Sequence, residues 1–311
     1  MQVIDGTAPG LKHIHFKWSK SIAPIASVKD GEIISMIIPD SSTMQVKENW
    51  TAEDLKKMDN SLLDAAVGPI FVEGAHEGQV LRVDILDVQV GQWGWSASEK
   101  AAPLIRGRFE DALVIWSLKD NFAESRSNFL KGTRIPLRPF LGVMGVAPKE
   151  GEYSTYPPDY FGGNMDNKLL SAGASLFLPI GAEGALFSAA DPHAVQGDGE
   201  AGNTGLETSA TAILRFSIVK KTIRFPRALA KIASQEHLVT MGICPDLYEA
   251  SRFAMEEMVD ELSTAWNYSR HEAYMLCSLV GDLKISELVD EPNHVVTMTV
   301  PANLLKRKQA P

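Results

Sequence analysis

The ten residues Asp191–Pro192–His193–Ala194–Val195–Gln196–Gly197–Asp198–Gly199–Glu200 hold three carboxylates, one imidazole, one carboxamide and two glycines. Pro192 biases Asp191 towards extended backbone. In an extended segment side chains two apart face the same way, so Asp191 and His193 are expected to project together as an Asp-x-His pair. Gly197 and Gly199 turn the chain at φ values that other residues resist, which returns Asp198 and Glu200 towards the same point. Carboxylates gathered around one neutral imidazole repel each other unless a cation or a shared proton holds them. The chemistry this allows is that of a hydrolase-like metal or acid–base site. A polar Gly/Asp-rich surface loop is the competing reading.

Other segments carry further candidates. Asn164–Met165–Asp166–Asn167 follows Phe161–Gly162–Gly163. Paired glycines permit close backbone approach to a ligand, which makes Asp166 a candidate metal ligand or base and Asn164 a candidate amide contact. The same residues also make ordinary tight turns. Glu207 opens an expected strand whose Glu207, Ser209, Thr211 and Arg215 share one face; its carboxylate either enters a cleft or marks an exposed strand end. The apolar run Phe140–Leu141–Gly142–Val143–Met144–Gly145–Val146–Ala147–Pro148 reads as a strand pair or a pocket wall, with Phe140 and Met144 lining it. His13 and His15 face one way on a strand, as transition-metal ligands do, but lack a third ligand nearby and read better as structural. Cys277 sits on an apolar helix stripe as a core thiol. Cys244, beside Pro245 at a helix start, is a possible thiol nucleophile, because a helix N-terminus lowers a thiol pKa. No G-x-S-x-G elbow, H-E-x-x-H helix motif or phosphate-binding glycine loop occurs.

These candidates need a scaffold. Up to about residue 225 the chain reads as short apolar or alternating strands separated by Gly, Pro, Asp and Asn, the pattern of a sandwich or barrel. Pro69 and Pro179 are placed at strand ends, where a missing donor is tolerated. One short helix is expected after Thr51, with Asp54 completing its cap. Beyond residue 225 the pattern changes. Asp246 opens a helix with an apolar stripe, and Ser269 with Glu272 forms a capping box for a second, which Gly281 ends. The run from Asn293 to Val300 reads as a strand. The expected division is a β-sandwich domain over 1–225, carrying the site, and an α/β domain over 226–311.

Bulk properties exclude several classes. A net charge of −9 with scattered Lys and Arg offers no basic stripe for nucleic acid. The one basic cluster, Lys306–Arg307–Lys308, reads as a solvated tail. No stretch approaches the roughly 18 apolar residues of a membrane span. The first residues lack the basic and apolar regions of a signal peptide, and two cysteines make no disulfide framework. A cytoplasmic, reduced protein is expected.

Taken together, these blocks resemble the acetamidase/formamidase family. The resemblance is carried by Arg138–Pro148, Gly162–Asp166, Asp191–Glu200, Met241–Ala250 and Gly68–Ala75. One departure precedes Gly68: the family often has His–Pro there, and this chain reads Asp64–Ala65–Ala66–Val67, so Asp64 is a candidate replacement for that histidine. The resemblance implies a jelly-roll-like β-sandwich core followed by a helical hairpin and strand. It also implies hydrolysis of small aliphatic amides to a carboxylate and ammonia, with metal ions near the acidic blocks.

Amide hydrolysis at neutral pH needs a polarised carbonyl and a nucleophile stronger than water, and a divalent ion supplies both. On this reading Asp166, Asp191 and His193 hold the metal, zinc or calcium. Glu200 or Glu207, with His193, moves protons, while Asn164, Gln196, Phe140 and Met144 line the pocket. A homo-oligomer, a dimer or larger, is expected. The alternatives are a non-catalytic binder of a small polar solute or cation, and a cysteine-dependent amidase using Cys244.

Overall fold

The structure, a computed structural model, describes residues 1–306. Arg307 and Lys308 of the basic tail lie outside the described residues. The chain is mostly β, with two C-terminal helices. Two large sheets face each other. A nine-stranded sheet runs in the order Gln2–Asp5, Ile33–Ile38, Ala210–Val219, Val80–Val90, Ser175–Pro179, Arg227–Ile232, Gln235–Cys244, His294–Pro301, Asp282–Glu287. It crosses residue 225 without interruption, because Ser175–Pro179 pairs with both Val80–Val90 and Arg227–Ile232.

The opposing eleven-stranded sheet has Phe187–Val195 at its centre. This strand pairs with Phe140–Gly145 and Leu206–Glu207, and also with Ala66–Val72. Phe140–Gly145 pairs in turn with Gly162–Asn164. Nearly all these pairings are antiparallel.

The core lies between the sheets. In Ala210–Val219, Ala210, Ala212, Leu214 and Phe216 are buried and alternate with more exposed residues, as one wet face requires. Phe216 meets Phe187 of the other sheet with ring centroids 5.1 Å apart. A second apolar cluster sits under the helices. Helix α1 (Leu247–Trp266) lays Ala250, Ala254, Met258 and Leu262 over Leu238, Val296 and Met298 of the nine-stranded sheet. Asp246 caps α1 by accepting from the Glu249 amide at 2.9 Å. Helix α2 (Arg270–Val280) has the expected Ser269/Glu272 capping box.

Four details differ from the sequence expectation. The helix after Thr51 is a 3₁₀ segment, Ala52–Lys57, with Thr51 and Asp54 forming its cap. Gly281 ends α2 at φ −92, not in the left-handed region; glycine is needed because a Cβ would lie 2.1 Å from Met298 Cε and 2.6 Å from Cys277 O. Pro69 lies inside the Ala66–Val72 strand, where Gly68 and Pro69 together oppose Ser188 across a register shift. A bulge of this kind tolerates the missing N–H. Finally, Glu207 is not on the Ala210–Val219 strand. The chain changes sheet at Thr208–Ser209, and that change sends Glu207 to the centre of the other sheet.

Candidate active site

His193 stands on the central strand Phe187–Val195, directly across from Phe140 on one neighbour and Glu207 on the other. The register therefore sets a carboxylate beside the imidazole: Glu207 Oε2 is 3.1 Å from His193 Nε2. Asp191, two residues back on the same strand, puts Oδ1 3.1 Å from Nε2. Asp166 Oδ1 lies 3.4 Å from Nδ1, and Glu200 Oε1 3.7 Å from Nε2. The ring of Phe140 meets the imidazole edge-on, with centroids 5.0 Å apart. His193 has no exposed surface.

The Asp-x-His pair converges as expected, but by a different backbone route. Asp191 has φ +53, so it is not extended. Asp64, Asp166 and Glu200 also have positive φ, at +51, +42 and +44. L-residues avoid this region, and local strain of this kind clusters at functional sites. Neighbouring glycines make room for the acids. A Cβ on Gly142 would lie 2.4 Å from Asp191 Oδ2 and 2.6 Å from Asp166 Oδ1, and one on Gly205 would lie 3.0 Å from His193 Nδ1.

The glycine turn after Gln196 returns Glu200 to the cluster. It leaves Asp198 outside, where Asp198 pairs with Lys168 at 2.9 Å. The turn is tied to the C-terminal strands by the Gly199 amide, which donates to Ser286 O at 2.8 Å. That tie brings in two acids the sequence reading did not single out, Glu287 and Asp290. Their only sequence signal was an acidic run, Glu287 to Glu291, following a strand.

Asp64 N donates to Ser41 O, and Ser41 Oγ donates to Glu207 Oε2 at 2.8 Å. Asn164 Nδ2 donates to Asp290 Oδ2 at 2.8 Å, and Gln196 Nε2 to Asp166 O at 3.0 Å. Four carboxylates around His193, together with Asp64, Glu287 and Asp290, make seven. All are buried. Among the described residues none pairs with a Lys or Arg.

Burial dominates the electrostatics. It pushes the Asp166 carboxyl up to about 7 against the pull of His193. It pushes Glu207 and Glu287 each to about 8, and Asp64, Glu200 and Asp290 well above the carboxylate range. Burial also opposes charge on His193, yet Asp191 and Glu207 overcome it and raise the imidazole well above its usual value. Asp191 goes the other way: burial works to raise it, but the charge on His193 holds it low.

Several buried atoms lack any partner, namely both Asp166 oxygens, His193 Nδ1, Asn164 Oδ1, Gln196 Oε1 and Glu287 Oε2. Buried polar atoms are rarely left this way. Imidazole and carboxylate donors at these separations suit a divalent ion: Asp166, Asp191 and His193 form one group, and His193, Glu200 and Glu207 another, with ligand atoms within 4.8 Å in each.

A small cavity of about 60 Å³ opens on the cluster, lined by Asp191, Glu200, Glu207, Asn164 and Trp95 among others. It shares Leu63, Asp64, Glu99, Tyr156 and Asn203 with an outer vestibule of about 540 Å³. Phe140 and Met144 do not line this cavity. Phe140 backs the imidazole and Met144 packs in the core, because the Phe140–Gly145 strand is covered on both sides. Gln196 faces a separate surface hollow. A larger groove of about 660 Å³ lies along α1 and α2, but its Arg252, Glu256 and Arg270 are already engaged in ion pairs.

The remaining candidates sit elsewhere. His13 Nδ1 bonds Asp5 O at 2.7 Å and His15 Nε2 bonds Ser188 Oγ at 2.8 Å, so the two rings share no ligand position. Burial lowers the His15 pKa to about 4. Cys244 ends its strand and packs against the apolar cluster under the helices.

A fold of two facing sheets with a buried His–carboxylate cluster belongs to a class of protein built for metal or acid–base chemistry, and the comparisons say which family. The chain belongs to the acetamidase/formamidase family, which it matches over residues 6–152 and 149–307. It is an amidase, an enzyme hydrolysing amide C–N bonds. The acetamidase of Bacillus halodurans superposes with a TM-score of 0.88 at 27% identity, covering 97% of this chain and 98% of that one. A predicted acetamidase/formamidase from Thermoanaerobacter tengcongensis superposes with a TM-score of 0.88 at 31% identity, covering 97% and 96%. The formamidase of Methylophilus methylotrophus is 23% identical over 94% of this chain and 89% of its own length. No helix among the described residues is long and apolar enough to cross a membrane.

Proposed function

We propose that this chain hydrolyses short, uncharged aliphatic amides of the formamide and acetamide class at the His193 cluster. The observation that carries this reading is a fully buried imidazole with four carboxylates within 3.7 Å, at the floor of a cavity with room for only a few atoms. A cavity of about 60 Å³ admits a few water-sized groups and little more.

Asp166, Asp191 and His193, with Glu200 and Glu207 adjacent, would hold a divalent ion, which when bound polarises an amide carbonyl and acidifies water. Glu207 is the better placed proton carrier. Ser41 fixes its Oε2, and it lines the cavity directly, so, ionised by the countercharge of a bound cation, it would take a proton from the attacking water and return it to the leaving nitrogen. Asp191 holds the imidazole in place from Nε2. Phe140 and the core behind it exclude water from the far side of the ring.

The surrounding carboxylates disfavour an anionic substrate, and desolvating a charged side group is costly. Formamide, acetamide and propionamide are therefore expected to be turned over with graded kcat/KM. Asparagine and glutamine are expected to be poor substrates, with ammonia release as the readout. If asparagine or glutamine proved the best of the five, the assignment to small aliphatic amides would be abandoned. Prolonged chelation should remove activity and a single divalent metal should restore it; full activity in a verified metal-free preparation would overturn metal assistance.

A further inference from the structure

We infer that the ring of Tyr156 sets the upper limit on acyl length, standing as a fixed filter at the throat between the inner cavity and the outer vestibule. This rests on the amidase reading of the His193 cluster and names a residue that selects its substrate. Tyr156 lines both the cavity of about 60 Å³ and the vestibule of about 540 Å³. The other residues common to the two are Leu63, Asp64, Glu99 and Asn203, so Tyr156 is the one aromatic side chain at the throat among the described residues. A vestibule of that size seats an amide much larger than acetamide. The restriction to small substrates therefore lies at the throat and not at the mouth.

The backbone holds the ring still. Pro157 biases Tyr156 towards extended backbone, and Pro158 stiffens the next step. On the other side Thr155 is buried. The Tyr156 amide donates to Ser154 Oγ at 3.2 Å, and Pro158 O accepts from Asn293 Nδ2 at 2.8 Å. The hydroxyl end is tied as well. Asn203 hydrogen-bonds it, and the Asn203 amide donates to Glu200 O at 2.8 Å. Burial and then Asp290, with Asp64 and Glu200 adding to them, push the phenol above its ordinary value against the pull of that Asn203 bond. The side chain is thus a neutral, anchored ring beside the acids of the cluster.

Chemistry decides which end of the substrate meets the ring. The cavity residues that the vestibule does not share include Asp191, Glu207, Asn164 and Asp290. These carboxylates and this carboxamide suit the NH₂ and carbonyl of an amide and offer an alkyl chain no apolar surface. The apolar lining of the same cavity is Met58, Leu63, Trp95 and the Tyr156 ring, and of these Leu63 and Tyr156 lie on the way out. The amide group is therefore held at the cluster with its alkyl chain towards the throat. A chain that outgrows the cavity meets the ring of Tyr156, which the backbone does not allow to swing aside.

The test measures ammonia release from acetamide, propionamide, butyramide and benzamide. In the wild type kcat/KM should fall at least ~10-fold from propionamide to butyramide, the discrimination that one excluded methylene gives. Tyr156→Ala should raise the ratio of kcat/KM for butyramide to that for acetamide at least ~10-fold and should admit benzamide. Its acetamide KM should rise by more than its kcat falls, because the ring meets the bound chain and not the reacting atoms. Tyr156→Phe keeps the ring and should keep the wild-type ratio. Should the alanine variant fold poorly, Tyr156→Leu should shift the ratio in the same direction. An unchanged ratio in the alanine or leucine variant, or a phenylalanine variant that matches alanine, would overturn the filter. If no amide releases ammonia, the amidase reading fails. The affinity for butyramide relative to acetamide, measured by calorimetry in the wild type and the same variants, then still decides the filter by the same outcomes.

Discussion

Asp84 and Asp166 are both buried aspartates of this β structure, 5% and 1% exposed, and their surroundings are opposite. Asp84 accepts from Ser175 Oγ at 2.6 Å, Arg82 Nε at 2.7 Å and Arg215 Nε at 2.9 Å. Burial works to raise its pKa, but these bonds outweigh it and hold the carboxyl below its usual value. Asp166 has no donor at either oxygen, and burial raises it to about 7. The difference lies in what the sheet delivers. Strand register sets Ser175 and Arg215 directly across from Asp84. Around Asp166 it delivers His193 and more carboxylates. An unsatisfied buried polar group is expensive, so the first cluster stabilises the fold while the second is a deficit that a bound cation would relieve.

The contrast is sharpened first at His193. His193→Ala should lose at least ~100-fold in turnover, the size of a positioned acid–base or ligand contribution, with an unchanged circular dichroism spectrum. Arg215→Met, in the other cluster, should leave kcat unaltered. A near-wild-type rate for the His193 variant would remove it from the chemistry.

Gly142→Ala comes next, since its Cβ would collide with both Asp191 and Asp166. A small displacement of catalytic groups is costly, and a loss of at least ~10-fold in kcat/KM is expected. Wild-type kinetics would show that the two acids need not sit where they do.

Asp84→Asn should do the reverse, costing about 1–3 kcal/mol in denaturant unfolding without changing kcat. The sign with pH follows from the lowered pKa. The stabilisation is present above the ordinary value of 3.8 and is lost as pH falls through it towards the lower folded value. The variant should flatten that acidic arm; an unchanged arm would mean that Asp84 is not its source. Cys244→Ser carries the smallest expected effect and should keep most of its activity. Complete loss, with a covalent adduct trapped in mass spectrometry, would favour the thiol route.

Much of the scaffold was legible because it rests on local rules. The alternation in Ala210–Val219, the Asp246 cap and the Ser269/Glu272 capping box depend on residues within a few positions of one another. The strand placement of Pro69 was misread, since a bulge is defined by the partner strand and not by the proline. The acids of the Asp191–Glu200 block were likewise visible in one stretch, and Asp166 and Glu207 stood out by their flanking glycines and strand pattern.

What the sequence by itself determined was the kind of chemistry: one imidazole among closely spaced carboxylates, on β segments turned by glycine. Only the tertiary structure decided which acids share the site. It excluded Asp198, which faces Lys168, and admitted Asp290 and Glu287 from almost a hundred residues further on, through the Gly199 contact with Ser286. It moved Met144 into the core and Glu207 to the opposite sheet. The physical reason is that composition and spacing fix what a segment can form, whereas charge proximity and burial depend on sheet register and on crossings between distant segments, which no local pattern encodes.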